Sequence, residues 1–127
     1  MPIISATFVF FLGVLITALA INTTRLRLHY GRELDKHAKE AIRRASRSHG
    51  NSVEHGVVFA LVLLFAELRG VDASWLWAFA IIFLAARLIY VFGYYRRPVS
   101  LPMQIGAGIT YATEIVLLNL LGASLFL

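Results

Sequence analysis

The residues with the most chemistry in this chain are Arg47, Asn51 and Glu54, in the run Arg47-Ser48-His49-Gly50-Asn51-Ser52-Val53-Glu54-His55. Their spacings of four and three put all three on one face of a helix. Arg47 and Glu54 would then stand about 10 Å apart along the axis. The run leads from a charged segment directly into an apolar one, so this stripe enters a hydrophobic layer. An ionised carboxylate at the centre of a bilayer costs roughly 2.5–3.5 kcal/mol on insertion scales. A chain that keeps one there has a use for it, which marks a polar binding site. The plainer alternative is a solvated helix end. A second stripe has the same form: Arg87, Tyr90 and Tyr94 are spaced three and four apart. Together the stripes offer cations, a carboxylate, an amide and two phenols, a set suited to a small zwitterionic or polyanionic ligand. The plainer alternative here is a Glu54–Arg87 pair that only locks two helices together.

The elements that must position these stripes follow from composition. Of the 127 residues, 59% are hydrophobic, against about 45–50% in an ordinary soluble domain. The excess lies in blocks long enough to cross a bilayer of about 30 Å. The expected fold is therefore all-α, a left-handed bundle of four transmembrane helices in one domain over residues 1–127. The helices are expected at about 3–21, 34–67, 74–95 and 102–126. Residues 3–21 hold no charged side chain, and Met1-Pro2 brings no basic start of the kind a cleaved signal peptide carries. Asn22 to Arg25 is read as the polar boundary of helix one, and Tyr30-Gly31 as the following break. Helix two is read as long, running without interruption through Gly50. Glu67 to Asp72 forms a tight turn, with Asp72 or Ser74 as cap of helix three. Gly108 and Ala112, four apart on helix four, offer a close approach to another helix.

The net charge of +5 is compatible with nucleic acid, but its placement points elsewhere. Residues 22–50 carry eight of the twelve Lys and Arg, and Arg96 and Arg97 add two more at the same end. The Glu67–Asp72 turn carries only Arg69. This asymmetry predicts cytoplasmic basic loops, both termini outside, and membrane lipid rather than nucleic acid as partner. There is no cysteine, which excludes disulfides, thiolate ligands and a cysteine nucleophile, so any thiol must arrive with a substrate. His29, His37, His49 and His55 show no metal-binding spacing, and no metal is expected; His55 adjoins the polar stripe and is expected to line a cleft between the two stripes. Depth can be counted from the outer turn. Glu54 lies thirteen residues before Glu67 and Arg87 thirteen after Ser74, about 20 Å of rise in each case. Glu114, thirteen residues before the end, reaches a similar level.

With both stripes in view, Arg47-x-x-x-Asn51-x-x-Glu54 followed by Ala86-Arg87-x-x-Tyr90-x-x-Gly93-Tyr94 resembles the MAPEG family, membrane-associated proteins in eicosanoid and glutathione metabolism. Its small bacterial branch is the nearest in wording. The resemblance covers nearly the whole chain. It implies a homotrimer in a bacterial inner membrane that binds glutathione from the cytoplasmic side between subunits. The residues it assigns to glutathione are Arg47, Asn51, Glu54, Arg87, Tyr90 and Tyr94. His55 stands where the eicosanoid enzymes often have Tyr, and is expected as a further glutathione-binding residue. An arginine near the end of helix one also contributes in the family, matched here by Arg25 or Arg27. The implied chemistry is a glutathione transferase or peroxidase: the bound thiol becomes a thiolate and attacks a lipophilic electrophile, a small molecule arriving from the bilayer. A guanidinium beside the sulfur lowers its pKa. The sequence departs from the pattern in one place. Where the leukotriene-forming members carry the thiolate-stabilising arginine, seven residues after the Tyr94 match, this chain has Leu101. Arg96 and Arg97 are the neighbouring cations that remain as candidates, with Arg25 and Arg27, for the catalytic position. Two other functions stay open: a non-catalytic scaffold that binds glutathione or lipid, and a small exporter. The exporter ranks last because helix one lacks the acidic residue such exporters use.

Overall fold

A computed structural model describes residues 1–126 as four α-helices and nothing else regular. They are α1 (Ile3–Tyr30), α2 (Lys36–Leu68), α3 (Ala73–Arg96) and α4 (Leu101–Phe126). All four are long and apolar enough to cross a membrane. Large apolar side chains face outward along every helix, among them Phe10, Val58, Ile81 and Ile115. A chain in water would bury such residues; here lipid is the solvent for them.

Helix α1 is nine residues longer than the apolar run that begins it. Asn22 to Arg25 does not end it, because nothing there breaks helical hydrogen bonding. Instead Asn22 donates to the Tyr95 hydroxyl on α3 at 2.8 Å, and Thr23 bonds back to the Leu19 carbonyl. The chain leaves the helix at Gly31, whose φ of 66° only glycine adopts without strain. Asp35 starts α2 by accepting from the Ala38 amide at 2.7 Å. From there α2 runs unbroken for 33 residues, through Gly50.

At the opposite end, Gly70 (φ 77°) closes α2 in a Schellman motif. Its amide bonds the Glu67 carbonyl and the Val71 amide bonds the Ala66 carbonyl. Asp72 then caps α3 through the Ser74 amide. Glu67 does more than lie beside a turn. Its carboxylate accepts from the Ile4 amide, the Ser5 amide and the Ser5 hydroxyl, which satisfies orphan donors at the start of α1 and opposes the positive end of its dipole. Arg69 reaches the Ser124 carbonyl near the end of α4. Both termini and the α2–α3 turn therefore share one end of the bundle.

Packing is densest between α1 and α2 and between α3 and α4. At the first of these, a Cβ on Gly56 would lie 2.8 Å from the Leu12 side chain. At the second, backbones nearly touch. A Cβ on Gly93 would lie 2.3 Å from the Met103 amide nitrogen, and one on Gly106 would lie 2.5 Å from that of Tyr90. Gly108 and Ala112 face outward, so the close approach inside the subunit uses Gly106 instead. Ser100 joins the two helices, donating to the Gly93 carbonyl and accepting from the Met103 amide at the start of α4. The apolar core is an aromatic cluster of Phe8, Phe59 and Phe83, with Leu63, Leu76 and Leu117 around it.

Candidate functional site

The two polar stripes meet. A cleft of about 260 Å³ is lined by Ser46, Arg47, Gly50, Asn51 and Glu54 of α2 and by Tyr90 and Tyr94 of α3. Helical periodicity alone puts the α2 residues on one face. The tight α3–α4 packing at Gly93 and Gly106 fixes the height of Tyr90 and Tyr94. The two tyrosine rings stack at 5.8 Å, nearly parallel. Arg47 and Glu54 form an exposed rim, and neither has an ion-pair or hydrogen-bond partner among the described residues.

Arg87 lies behind the cleft, 1% exposed. It does not pair with Glu54. It donates to the Asn51 amide oxygen at 2.7 Å, to the Ser52 hydroxyl at 3.1 Å and to the Thr110 hydroxyl at 3.4 Å. The guanidinium also sits 4.4 Å over the Tyr90 ring, a cation–π contact. All three hydrogen-bond partners are neutral, and the buried Arg87 Nε has no partner among the described residues.

A second cavity of about 160 Å³ adjoins the cleft further along α2 and α3 toward the α2–α3 turn, and is the inner one in that sense. Asn51, His55, Arg87, Tyr90, Met103, Ala107, Thr110 and Tyr111 line it. Asn51 and Tyr90 belong to both cavities. His55 therefore looks into the inner cavity and not into the outer cleft. Its Nδ1 lies 2.9 and 3.1 Å from the two Glu114 carboxylate oxygens, and its ring meets Tyr111 edge-on at 5.2 Å. Depth counting gives Glu114 a level but no partner, because nothing in the sequence fixes which way α4 is turned.

The candidate arginines outside the stripes are scattered. Arg25 bonds Asn22 and lines a third cavity, about 500 Å³, with His37, Glu40, Arg44 and Tyr95. Arg27 is exposed and lines none of these cavities. Arg96 and Arg97 line a separate concavity with Gly93, Ser100 and Pro102, and Arg96 rests on the Phe92 ring. Leu101 is exposed at the start of α4. Sequence reasoning passed over Arg44. It donates to the Tyr95 and Arg96 carbonyls, closing the C-terminal end of α3. Where α2 projects beyond the apolar layer, hydrogen bonds from Arg44 and Arg43 hold the Glu40 carboxyl below the usual carboxylate range.

The arrangement can hold a small charged molecule. The outer cleft presents a free cation and a free carboxylate, which suit a zwitterion, and an amide and two phenols supply directional hydrogen bonds. Comparison with known proteins agrees with a membrane setting. The sequence model described as MAPEG family matches residues 5–125. Among curated proteins the chain is similar to "Inner membrane protein YecN" of Escherichia coli strain K12, 27% identical over 94 residues, which is 74% of this chain and 72% of the relative. The protein of that name from Escherichia coli O6:H1 matches equally well.

Proposed function

The chain belongs to the MAPEG family and is an integral membrane protein; on that premise we propose that it binds glutathione in the outer cleft and transfers it to lipophilic electrophiles, as a transferase or peroxidase. The observation that carries the reading is the convergence of Arg47, Asn51, Glu54, Tyr90 and Tyr94 on one cleft. These are five of the six positions that the family pattern assigns to glutathione. The sixth, Arg87, holds Asn51 and Tyr90 from behind. Glutathione carries carboxylates and an ammonium group, and the cleft rim offers Arg47 and Glu54 to meet them.

The functional unit in this reading is a homotrimer of left-handed four-helix bundles. The exposed, unpaired Arg47 and Glu54 support it, since charges at this position in a bundle are tolerable only against a neighbouring polar surface or a ligand. The relatives' name supports a bacterial inner membrane. Ten basic residues at one end support a cytoplasmic position for the Gly31 and Pro98 loops and an outside position for both termini. Lipid is the second partner and the route of the electrophile.

One observation favours a second reading, without chemistry: Leu101 stands at the family's arginine position, which fits a scaffold that binds glutathione and does not turn it over. Calorimetric titration of the detergent-purified protein with glutathione tests the shared part of both readings. Saturable binding is expected, lost on Arg47→Ala with the oligomer's elution unchanged. Unaltered binding by that variant would place the ligand elsewhere. Conjugation of glutathione to a chlorinated nitroarene then separates transferase from binder.

A further inference from the structure

The chain lacks the arginine that its family uses to activate the thiol, yet it carries a histidine–carboxylate pair within the bundle, at the next cavity inward. Resting on the reading of the outer cleft as a glutathione site, we infer that the thiol arm of the bound ligand passes between Asn51 and Tyr90 into the inner cavity, where His55, oriented by Glu114, takes the thiol proton and Arg87 holds the thiolate.

Three observations converge. The first is adjacency: Asn51 and Tyr90 line both cavities, so a ligand in the cleft lies one side chain away from the second cavity. A water occupies about 30 Å³ of liquid volume, so 160 Å³ accepts a –CH2–SH arm with space left over. The second is orientation. An ionised carboxylate only accepts hydrogen bonds. Glu114 against Nδ1 therefore selects the tautomer with the proton on Nδ1 and leaves the Nε2 lone pair free. A carboxylate behind a histidine base acts in this way in hydrolases, fixing the ring and stabilising the imidazolium. Glu114 is thus a positioning residue, and His55 is the group that meets the substrate. The third is the buried cation: Arg87 lines this cavity, its hydrogen bonds go only to neutral groups, and it has no ion-pair partner among the described residues.

Charge balance selects this route over loss of the proton to water. Before the transfer the site holds Arg87 (+1), Glu114 (−1), neutral His55 and a neutral thiol. After it, the thiolate (−1) and imidazolium (+1) are added together, and the sum stays zero. Release of the proton to solvent would leave a net negative charge inside a low-dielectric layer, which is costly. The groups facing His55 are Glu114 and Tyr111 from α4 and Arg87 and Tyr90 from α3. Its own helix adds Asn51, and α1 brings only the apolar Leu12 against Gly56. In the step itself the S–H bond breaks, its electron pair stays on sulfur, and an N–H bond forms at Nε2. With a chlorinated nitroarene, the carbon–sulfur bond forms, chloride leaves with the carbon–chlorine pair, and His55 returns its proton to water.

The test is a proton count on the wild-type protein. Glutathione is titrated calorimetrically at pH 7.5 in two buffers of different ionisation heat, while the ultraviolet thiolate band is followed. The expected result is a thiolate band with close to zero protons released per glutathione bound. About one proton released per thiolate formed would overturn the inference, as would binding with no thiolate band. Absence of any binding would instead bring down the cleft reading itself. Glu114→Gln gives a second readout. It should still bind glutathione within a few-fold of wild type, while the midpoint of the thiolate band rises by about one pH unit. That corresponds to a roughly tenfold smaller thiolate fraction at neutral pH. An unchanged midpoint in this variant would also overturn it.

Discussion

The two ends of this bundle are built from the same helices and solve different problems. Toward the α2–α3 turn, Phe8, Phe59 and Phe83 fill the interior. Phe59 and Phe83 stack at 4.0 Å, and Phe8 tilts against both at 5.0 and 5.6 Å. Toward the basic loops, only two turns along α2 from Phe59, the interior is polar and holds the inner cavity. Lipid tails are as apolar as phenylalanine, so burial from water does not drive the first region together; close packing does. The second region is held by hydrogen bonds around one buried arginine, whose partners can be exchanged for those of a ligand. Stability and binding are thus carried at different depths, and substitutions can separate them.

The largest expected effect lies in the aromatic region. Phe59→Ala opens a void between α1, α2 and α3. Phe→Ala costs about 3–5 kcal/mol in water-soluble cores. The lower end, about 3 kcal/mol, applies here because lipid removes the transfer contribution. Denaturant unfolding in detergent should show that loss, with glutathione affinity within a few-fold of wild type. Parallel collapse of affinity and stability would show that the two ends are not independent.

Arg87→Met probes the other end. It removes a buried cation and leaves a shorter, apolar side chain. Asn51, Ser52 and Thr110 lose their shared donor; an unpaired buried polar group costs about 1–3 kcal/mol, and removal of a buried charge without a counter-ion offsets part of that, so unfolding should shift by about 1–2 kcal/mol. Asn51 and Tyr90 lose their anchor, and loss of a charge-assisted hydrogen bond is worth about 2 kcal/mol. Glutathione affinity should therefore fall by roughly thirtyfold. A variant that unfolds but still binds would reverse the assignment of roles.

What could be read from the chain alone follows the same division. The α2 and α3 stripes were legible because helical periodicity acts within one element: Arg47, Asn51 and Glu54 need no tertiary information to share a face. Depth was legible to within a few residues because a short turn sets a common origin for α2 and α3. Azimuth was not. Whether Glu54 or Asn51 meets Arg87 depends on how α2 and α3 are turned against each other, which periodicity within one helix does not fix. For the same reason the His55–Glu114 pair was invisible, although both residues were noticed singly. The end of α1 was misplaced because leaving an apolar layer was taken for leaving a helix. Asn22 to Arg25 changes the solvent around the helix, and only Gly31 changes its backbone.

The smallest effect concerns how the end that holds the α2–α3 turn is tied together. Glu67 spans two helices with one carboxylate, taking three donors at the start of α1 while its own backbone carbonyl receives the Gly70 amide. In Glu67→Gln the side chain keeps its shape and one acceptor oxygen, but loses the other acceptor and the charge that opposes the α1 dipole. A cap and a dipole contact are each worth up to about 1 kcal/mol, so unfolding should shift by about 1 kcal/mol and no more. The change should be local, with faster hydrogen exchange at the Ile4 and Ser5 amides and no change around Asn51 or in glutathione affinity. Faster exchange at Asn51 would mean that α1 transmits its position through Leu12 and Gly56 to the polar half, and that the boundary between the two regions lies closer to the basic loops than the aromatic cluster suggests.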